Sequence, residues 1–268
     1  MTTDIFKNAP EFITRDNRRL RPEYTTSFQS ISHRLEAQLP TSLIQHKTIL
    51  DLGSCMGAAG YYSLTTGAKH YTGIELQKFY ADTSNTLLNT YCNPSNFKII
   101  KKDLLNFLDE CIQDGTKFEV TLAAGILYEF MDPISFLQKV CKVTNETIVI
   151  DTKWIPTNKS GVGIIAMRPN EAMVRGINSD SHSIVRGIGS MMCSNAIDMV
   201  MSTESYYRNN DVILPKRITD VEDPYNIEVT HPSGQVGPKK IILCYKKDKH
   251  YIKTLNDVLI EEENNDYF

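Results

Sequence analysis

The sequence lacks the long hydrophobic runs that mark membrane and exported proteins. No uninterrupted apolar stretch approaches the roughly 20 residues that a helix needs to cross a bilayer. The first residues, Met1 to Lys7, show no apolar segment of the kind found in a secretion signal. We therefore expect a cytoplasmic protein with no membrane partner.

Closely spaced cysteines are missing as well. None of the six cysteines shows the two-residue spacing that is typical of zinc sites and thioredoxin-like redox pairs. No other spacing of metal-ligand residues is evident, so we predict no metal. Scattered thiols of this kind indicate a reducing environment. They are Cys55, Cys92, Cys111, Cys141, Cys193 and Cys244.

The chain also has no excess of positive charge. Its 268 residues include 29 Lys and Arg against 32 Asp and Glu, which gives a formal net charge of −3. No overall positive field therefore favours nucleic acid as a partner, although a local basic patch is compatible with this balance. The length and a hydrophobic content of 41% suit one large globular domain or one domain with an elaborated lobe.

What the sequence does contain is a strand, a glycine turn, a helix start and a second strand. The apolar strand 48–52 runs into a turn with Gly53 and Gly57, which lack a Cβ and allow a sharp bend and close approach of a ligand. Glu75 ends the second strand, at about the separation at which an acid reaches the two hydroxyls of a ribose. The pattern predicts a nucleoside pocket, with glycines that serve backbone geometry alone as the alternative.

The residue in the middle of the turn indicates which nucleoside. A dinucleotide fingerprint aligned on Gly53 requires glycine at position 55, because the pyrophosphate sits against bare backbone there. Cys55 places a side chain at that point. A ligand without phosphates, with an amino-acid tail near the helix N-terminus, tolerates a small thiol better.

At these residues the chain resembles the class I S-adenosylmethionine-dependent methyltransferases. Asp51, Gly53 and Gly57 match the first motif of that family, and Cys55 departs from it. The resemblance implies S-adenosyl-L-methionine as cofactor. The residues that it implies for cofactor binding are Asp51, Gly53, Ser54, Cys55, Gly57, Glu75, Leu76, Asp103, Leu104, Gly125, Arg21 and Tyr24.

Two groups in that set, each from another segment of the chain, have an alternative explanation. Asp103 follows the third predicted strand, where the family places an acid or amide on the adenine amino group, and Leu104 would line the adenine pocket. A solvated strand end is the alternative for Asp103. Arg21 and Tyr24 belong to a basic N-terminal segment that resembles a lid, and a solvated charged surface is the alternative there.

A second resemblance covers Gly125 to Pro133. Many small-molecule methyltransferases, and relatives that modify the wobble uridine of transfer RNA, have a Gly-x-Leu-Tyr-His run with proline shortly after it. Here Glu129 replaces the histidine after Tyr128. We name Glu129, Tyr128 and Asp151 as candidate catalytic residues, with Glu129 or Asp151 as a base if the nucleophile arrives protonated. A contact that binds a cationic substrate is the other functional role for Glu129, and a carboxylate stabilised at a helix start is the non-functional alternative.

Strands alternate with helices along most of the chain. This rhythm predicts an α/β fold: a Rossmann-like, doubly wound, seven-stranded, mostly parallel sheet with an N-terminal lid helix and a helical insert after strand 5. We expect residues 196–201 and 240–245 to form the last two strands. The predicted division is a lid segment (1–45), a methyltransferase domain (46–250) with a substrate-covering insert (152–195), and a tail (251–268).

The predicted function is transfer of a methyl group from S-adenosyl-L-methionine to a small polar metabolite or natural product. A methyltransferase acting on transfer RNA or another RNA is the main alternative, suggested by the Leu-Tyr motif and opposed by the acidic charge balance. An NAD-binding oxidoreductase and a non-catalytic cofactor sensor are further alternatives. The sequence does not indicate the oligomeric state.

Overall fold

A central β-sheet organises the molecule. The computed structural model describes residues 5–14, 28–154, 162–166, 188–209 and 239–248. The strands in these ranges are β1 (Thr48–Leu52), β2 (His70–Glu75), β3 (Phe97–Lys101), β4 (Phe118–Ala124), β5 (Thr144–Trp154), β6 (Val162–Ala166), β7 (Ile188–Met192), β8 (Tyr206–Arg208) and β9 (Lys239–Lys247).

Seven of these strands form the main sheet, in the order β3-β2-β1-β4-β5-β9-β8. Strands β1 to β5 are parallel, whereas β9 pairs antiparallel with both β5 and β8. The strand order reverses between β1 and β4, and ligands of such sheets bind at the carboxyl ends of the strands on either side of that point. The prediction of a seven-stranded, mostly parallel sheet is confirmed.

Helices cover both faces of the sheet, because the buried strands present apolar side chains to both sides. From β1, Leu50 and Leu52 join a core with the later helices, whereas Ile49 joins a core with the earlier ones. The helices are α1 (Glu11–Thr14), α2 (Phe28–Gln38), α3 (Thr41–Ile44), α4 (Ala58–Thr65), α5 (Lys78–Tyr91), α6 (Leu104–Asp114), α7 (Pro133–Val143) and α8 (Ser194–Thr203), with 3₁₀ turns at Ile5–Asn8, Pro94–Asn96 and Leu127–Glu129.

One predicted strand is a helix. Residues 196–201, expected as the sixth strand, lie inside α8, and the last two strands of the sheet are β8 and β9. The Cys193 thiol caps this helix by accepting from the amide of Ala196 at 3.4 Å. Ile197 and Met201 are both fully buried, four residues apart, which is the helical period. The apolar run at 196–201 is too short for the spacing of its residues to distinguish a strand from a helix.

The insert after β5 also differs from its prediction where the structure describes it. We expected helices, but β6 and β7 pair as an antiparallel hairpin, so that prediction is wrong for these two stretches. Strand β5 continues to Trp154, which places Asp151 within the strand rather than at its end. Asp151 is nevertheless level with Ala124, the last residue of β4.

Candidate active site

The loop after β1 is built on three residues with positive φ. Gly53 and Gly57 have φ of 82° and 80°, and Cys55 has φ of 49°. The amides of Gly53 and Ser54 both donate to the carbonyl of Ile74, at 2.9 and 3.0 Å, so the loop is fastened to β2. This left-handed backbone explains why glycine stands at two of the positions.

Glycine at position 53 also allows the two loops at the switch point to meet. A Cβ on Gly53 would lie 2.8 Å from Cγ2 of Ile126, in the loop that follows β4. That distance is too short for two carbon atoms, so a side chain at position 53 would push the loops apart. The structure therefore brings the predicted residues Gly53 and Gly125 into adjacent loops.

The Glu75 carboxylate lies beside the first loop and is held by two backbone amides. Glu75 is the last residue of β2 and is 8% exposed. Its oxygens accept from the amide of Cys55 and from the amide of Gln77, each at 2.9 Å. An ionised carboxylate accepts about four hydrogen bonds, so these contacts are compatible with ribose hydroxyls on the same group.

Asp51 lies on the same face of the sheet and accepts a hydrogen bond from a neutral donor. The hydroxyl of Tyr71 donates to Oδ2 of Asp51 at 2.6 Å, and Asp51 is only 3% exposed. Burial raises the pKa of Asp51 to about 7; the Tyr71 bond opposes this rise and the nearby charge of Glu75 adds to it. Sequence reasoning identified Asp51 but missed Tyr71.

Asp103 caps helix α6. Its Oδ1 accepts from the amides of Leu105 and Asn106, at 3.0 and 3.3 Å. This N-cap accounts for an acid at the start of the helix. Leu104 and Leu76 are half-buried, directly after Asp103 and Glu75 respectively. Because β2 and β3 pair with Glu75 opposite Lys101, these residues lie at one edge of the sheet.

The loop after β4 carries two of the candidate catalytic residues. Gly125 has φ of 72°, and its amide donates to the carbonyl of Asp151 at 2.7 Å. Tyr128 is buried and Glu129 is half-buried, in the 3₁₀ turn that follows. The hydroxyl of Ser190, in β7, donates to the carbonyl of Phe130 at 2.7 Å and ties the insert hairpin to this loop.

Asp151 is engaged by the helix that precedes the sheet. Its Oδ2 accepts from Arg34 at 2.8 Å and from Gln38 at 2.5 Å, and the side chain is 1% exposed. Sequence reasoning missed both partners, although their four-residue spacing on α2 places them on one face of that helix. Arg21 and Tyr24 lie outside the described residues.

Within the described ranges, no helix combines the length and hydropathy of a membrane-spanning segment. The same ranges contain no group of three or more His, Cys, Asp or Glu side chains arranged to hold a metal ion. All six cysteines fall in these ranges and none forms a disulfide.

Comparison with known proteins gives one curated sequence match. No protein-family model matches the chain. The chain is 28% identical over 103 residues to ribosomal RNA large subunit methyltransferase I of Aliivibrio fischeri, which is 38% of this chain and 24% of that protein. The chain therefore spans about a quarter of the length of the curated relative that it matches.

Solved structures resemble the chain over most of its length. The N-terminal domain of EvdMO1, crystallised in the presence of SAH and D-fucose, has a TM-score of 0.57 at 13% identity, over 90% of this chain and 97% of that domain. An S-adenosylmethionine-dependent methyltransferase from Mesorhizobium loti has a TM-score of 0.53 at 13% identity, over 80% and 96%. Magnesium protoporphyrin IX methyltransferase from Synechocystis PCC 6803, with bound SAM, has a TM-score of 0.51 at 9% identity, over 92% and 99%.

At these identities the likeness establishes a shared fold. The chain has the Rossmann-like fold of the class I S-adenosylmethionine-dependent methyltransferases, with the strand order and the antiparallel β9 described above. That fold places the β1 and β4 loops, and hence the predicted site, on either side of the switch point.

Proposed function

We propose that the protein is an S-adenosyl-L-methionine-dependent methyltransferase whose cofactor lies over the loop after β1. The observation that carries the proposal is Glu75, a buried carboxylate fixed by the amides of Cys55 and Gln77 at the end of β2. A carboxylate held in this place accepts both hydroxyls of a ribose. The shared fold and the partial match to a ribosomal RNA methyltransferase support the same conclusion.

The other residues of the site fit this ligand. Gly53, Ser54, Cys55 and Gly57 form the loop that would face the amino-acid end, and Asp51 would face the positively charged sulfonium. Asp103 would meet the adenine amino group while it caps α6, with Leu76 and Leu104 as apolar walls. Roles for Arg21 and Tyr24 at the methionine end stay predictions from sequence.

The geometry of the loop disfavours a dinucleotide. In a dinucleotide site the turn offers its backbone amides to a pyrophosphate. Here the Cys55 amide donates to Glu75, and the Cys55 side chain occupies the position where that fingerprint has glycine. An NAD-binding oxidoreductase therefore fits the loop less well.

Catalysis requires alignment more than acid or base chemistry. The sulfonium of the bound cofactor supplies an activated methyl group, so the protein has to orient the nucleophile and exclude water. Buried Tyr128 and half-buried Glu129 lie in the loop after β4, which would contact the substrate. Glu129 and Asp151 stay the two candidate bases, and Asp151 accepts hydrogen bonds from Arg34 and Gln38.

We infer a small polar molecule as the substrate, with RNA as the second candidate. The net charge of −3 supports the first, since RNA binding relies on a positive surface and weakens steeply with salt. The match to a ribosomal RNA methyltransferase supports the second.

The test is to incubate the protein with methyl-labelled cofactor and with separated metabolite and RNA fractions from cells. We expect label in the metabolite fraction, insensitive to nuclease and to added salt. Label in RNA, lost at higher salt, would select the second candidate. Cofactor binding without label in any fraction would indicate a cofactor sensor instead of an enzyme.

A further inference from the structure

Three polar side chains, those of Asp51, Tyr71 and Glu75, form a polar row beneath the cofactor loop. Side chains alternate between the two faces of a strand, so Tyr71, Gly73 and Glu75 of β2 share a face. Asp51 of β1 pairs in register with Gly73, which lies between Tyr71 and Glu75 on that face and has no side chain. A Cβ on Gly73 would lie 2.9 Å from the Ser54 side chain, so glycine makes room for the loop. Asp51 thus lies between a phenol and a second carboxylate.

The phenol of Tyr71 is fixed in place from two sides. Tyr71 is fully buried, and its hydroxyl donates to Asp51 at 2.6 Å. On the other side its ring lies against α4, where a Cβ on Gly60 would come within 2.5 Å of a ring carbon. A larger residue at position 60 would displace the ring, so the glycine and the tyrosine form one unit with Asp51.

The charges around Asp51 favour a positively charged ligand. No cation pairs with Asp51 within the described residues; the titratable groups that act on it are Tyr71 and Glu75 of β2. Cys55 of the loop acts on Tyr71, and α4 has no charged residue. Burial raises the pKa of Tyr71 well above its usual value, so the phenol stays a neutral donor. The row therefore holds two acids and no base.

We propose that Tyr71 is a positioning residue that holds the Asp51 carboxylate toward the sulfonium of the cofactor. This inference rests on the proposed function. The cofactor and its demethylated product both carry an ammonium group, and only the cofactor carries a sulfonium. A carboxylate fixed beneath the loop therefore binds the cofactor more tightly than the product, which helps the product to leave. At neutral pH the cofactor then displaces a proton from Asp51 as it binds.

The experiment is calorimetric titration of the whole chain with S-adenosylmethionine and with S-adenosylhomocysteine between pH 6 and 8.5. In the wild type, affinity for the sulfonium compound rises with pH through about 7, and binding near pH 7 releases a proton. Tyr71→Phe keeps the ring but removes the hydrogen bond to a charged group. We expect about tenfold weaker binding of the sulfonium compound at pH 7, recovering at higher pH.

The matched control is Tyr245→Phe. Tyr245 is also a buried tyrosine that donates to a carboxylate, Asp198, at 2.7 Å, but it lies on β9. We expect its binding curves to follow the wild type. Tyr71→Phe curves that match the wild type at every pH, or that weaken for both ligands by one pH-independent factor, would overturn the inference.

A second variant covers the case in which Tyr71→Phe does not fold. Asp51→Asn removes the charge itself, so we expect it to lose both the pH dependence and the preference for the sulfonium compound. Retention of either would overturn the inference. A wild-type protein that binds neither ligand would refute the proposed function, an outcome distinct from these.

Discussion

The two loops at the switch point are held in different ways. The loop after β1 is fixed within one strand-helix-strand unit: Cys55 bonds Glu75, and Tyr71 bonds Asp51, each pair 20 residues apart. The loop after β4 depends on distant contacts, with Asp151 bonded to Arg34 across 117 residues and Phe130 to Ser190 across 60. The cofactor side is thus encoded locally, whereas the substrate side is assembled by the whole fold.

Asp51, the buried acid of β1, should give the largest effect. The pKa of Asp51 is raised from 3.8 to about 7, so its contribution to stability is present below pH 4 and is lost as the pH rises through 7. This shift means that ionising Asp51 in the folded protein costs about 4 kcal/mol more than in the unfolded chain. We expect Asp51→Asn to stabilise the protein by a few kcal/mol relative to the wild type at pH 8, but little at pH 4. Urea unfolding across this range measures it, and a constant difference would contradict the assignment.

A side chain placed between the two loops should give the second-largest change in stability. Gly53→Ala places a methyl group 2.8 Å from Ile126 at a φ of 82°, which we expect to cost about 2–4 kcal/mol. Gly115→Ala is the control, because Gly115 has φ of 77° and nothing within 4 Å of its added Cβ. We expect about 1–2 kcal/mol there. Equal losses in denaturant unfolding would show that the loops do not press on each other.

Loss of the ion pair between Arg34 and Asp151, on the substrate side, should reduce stability by less. Among the described residues, Arg34→Met leaves the buried Asp151 carboxylate with Gln38 as its remaining side-chain donor, and about 30% of the Arg34 side chain is exposed. Loss of a partner from a fully buried pair costs about 3–5 kcal/mol, so we expect about 2 kcal/mol here after screening by solvent. Thermal unfolding measures this, and a change below about 0.5 kcal/mol would show that Arg34 does not stabilise the buried Asp151 carboxylate.

An exposed ion pair should give the smallest effect. Lys78 pairs with Asp82 on α5, and both side chains are more than half exposed. We expect Lys78→Met to change stability by less than about 0.5 kcal/mol. A loss as large as that of Arg34→Met would mean that burial does not separate the two pairs.

The local part of the site is also the part that sequence patterns predicted. Gly53, Gly57 and Glu75 stand at spacings set by one strand-helix-strand unit, and the parallel strands follow from the alternation of elements. Tyr71 escaped notice because a tyrosine in a strand is usually core, and its bond to Asp51 depends on strand register. Arg34 escaped because its partner lies on another element.

The insert shows the same limit. Residues 196–201 are too few to reveal a helical period, and the pairing of β6 with β7 depends on contacts that no local pattern records. Predictions from sequence were therefore better for the cofactor side than for the substrate side, because the cofactor side depends on local contacts and the substrate side on contacts between distant parts of the chain.

In the proposed site, Glu75 holds the ribose of an adenosyl cofactor. This role is tested by the dissociation constant of S-adenosylhomocysteine for the wild type, for Glu75→Gln and for the surface control Glu110→Gln. We predict binding by the wild type and the control, and about tenfold to hundredfold weaker binding by Glu75→Gln, because hydrogen bonds to a charged acceptor are lost. Equal affinity for all three proteins, or no binding by the wild type at millimolar ligand, would contradict it.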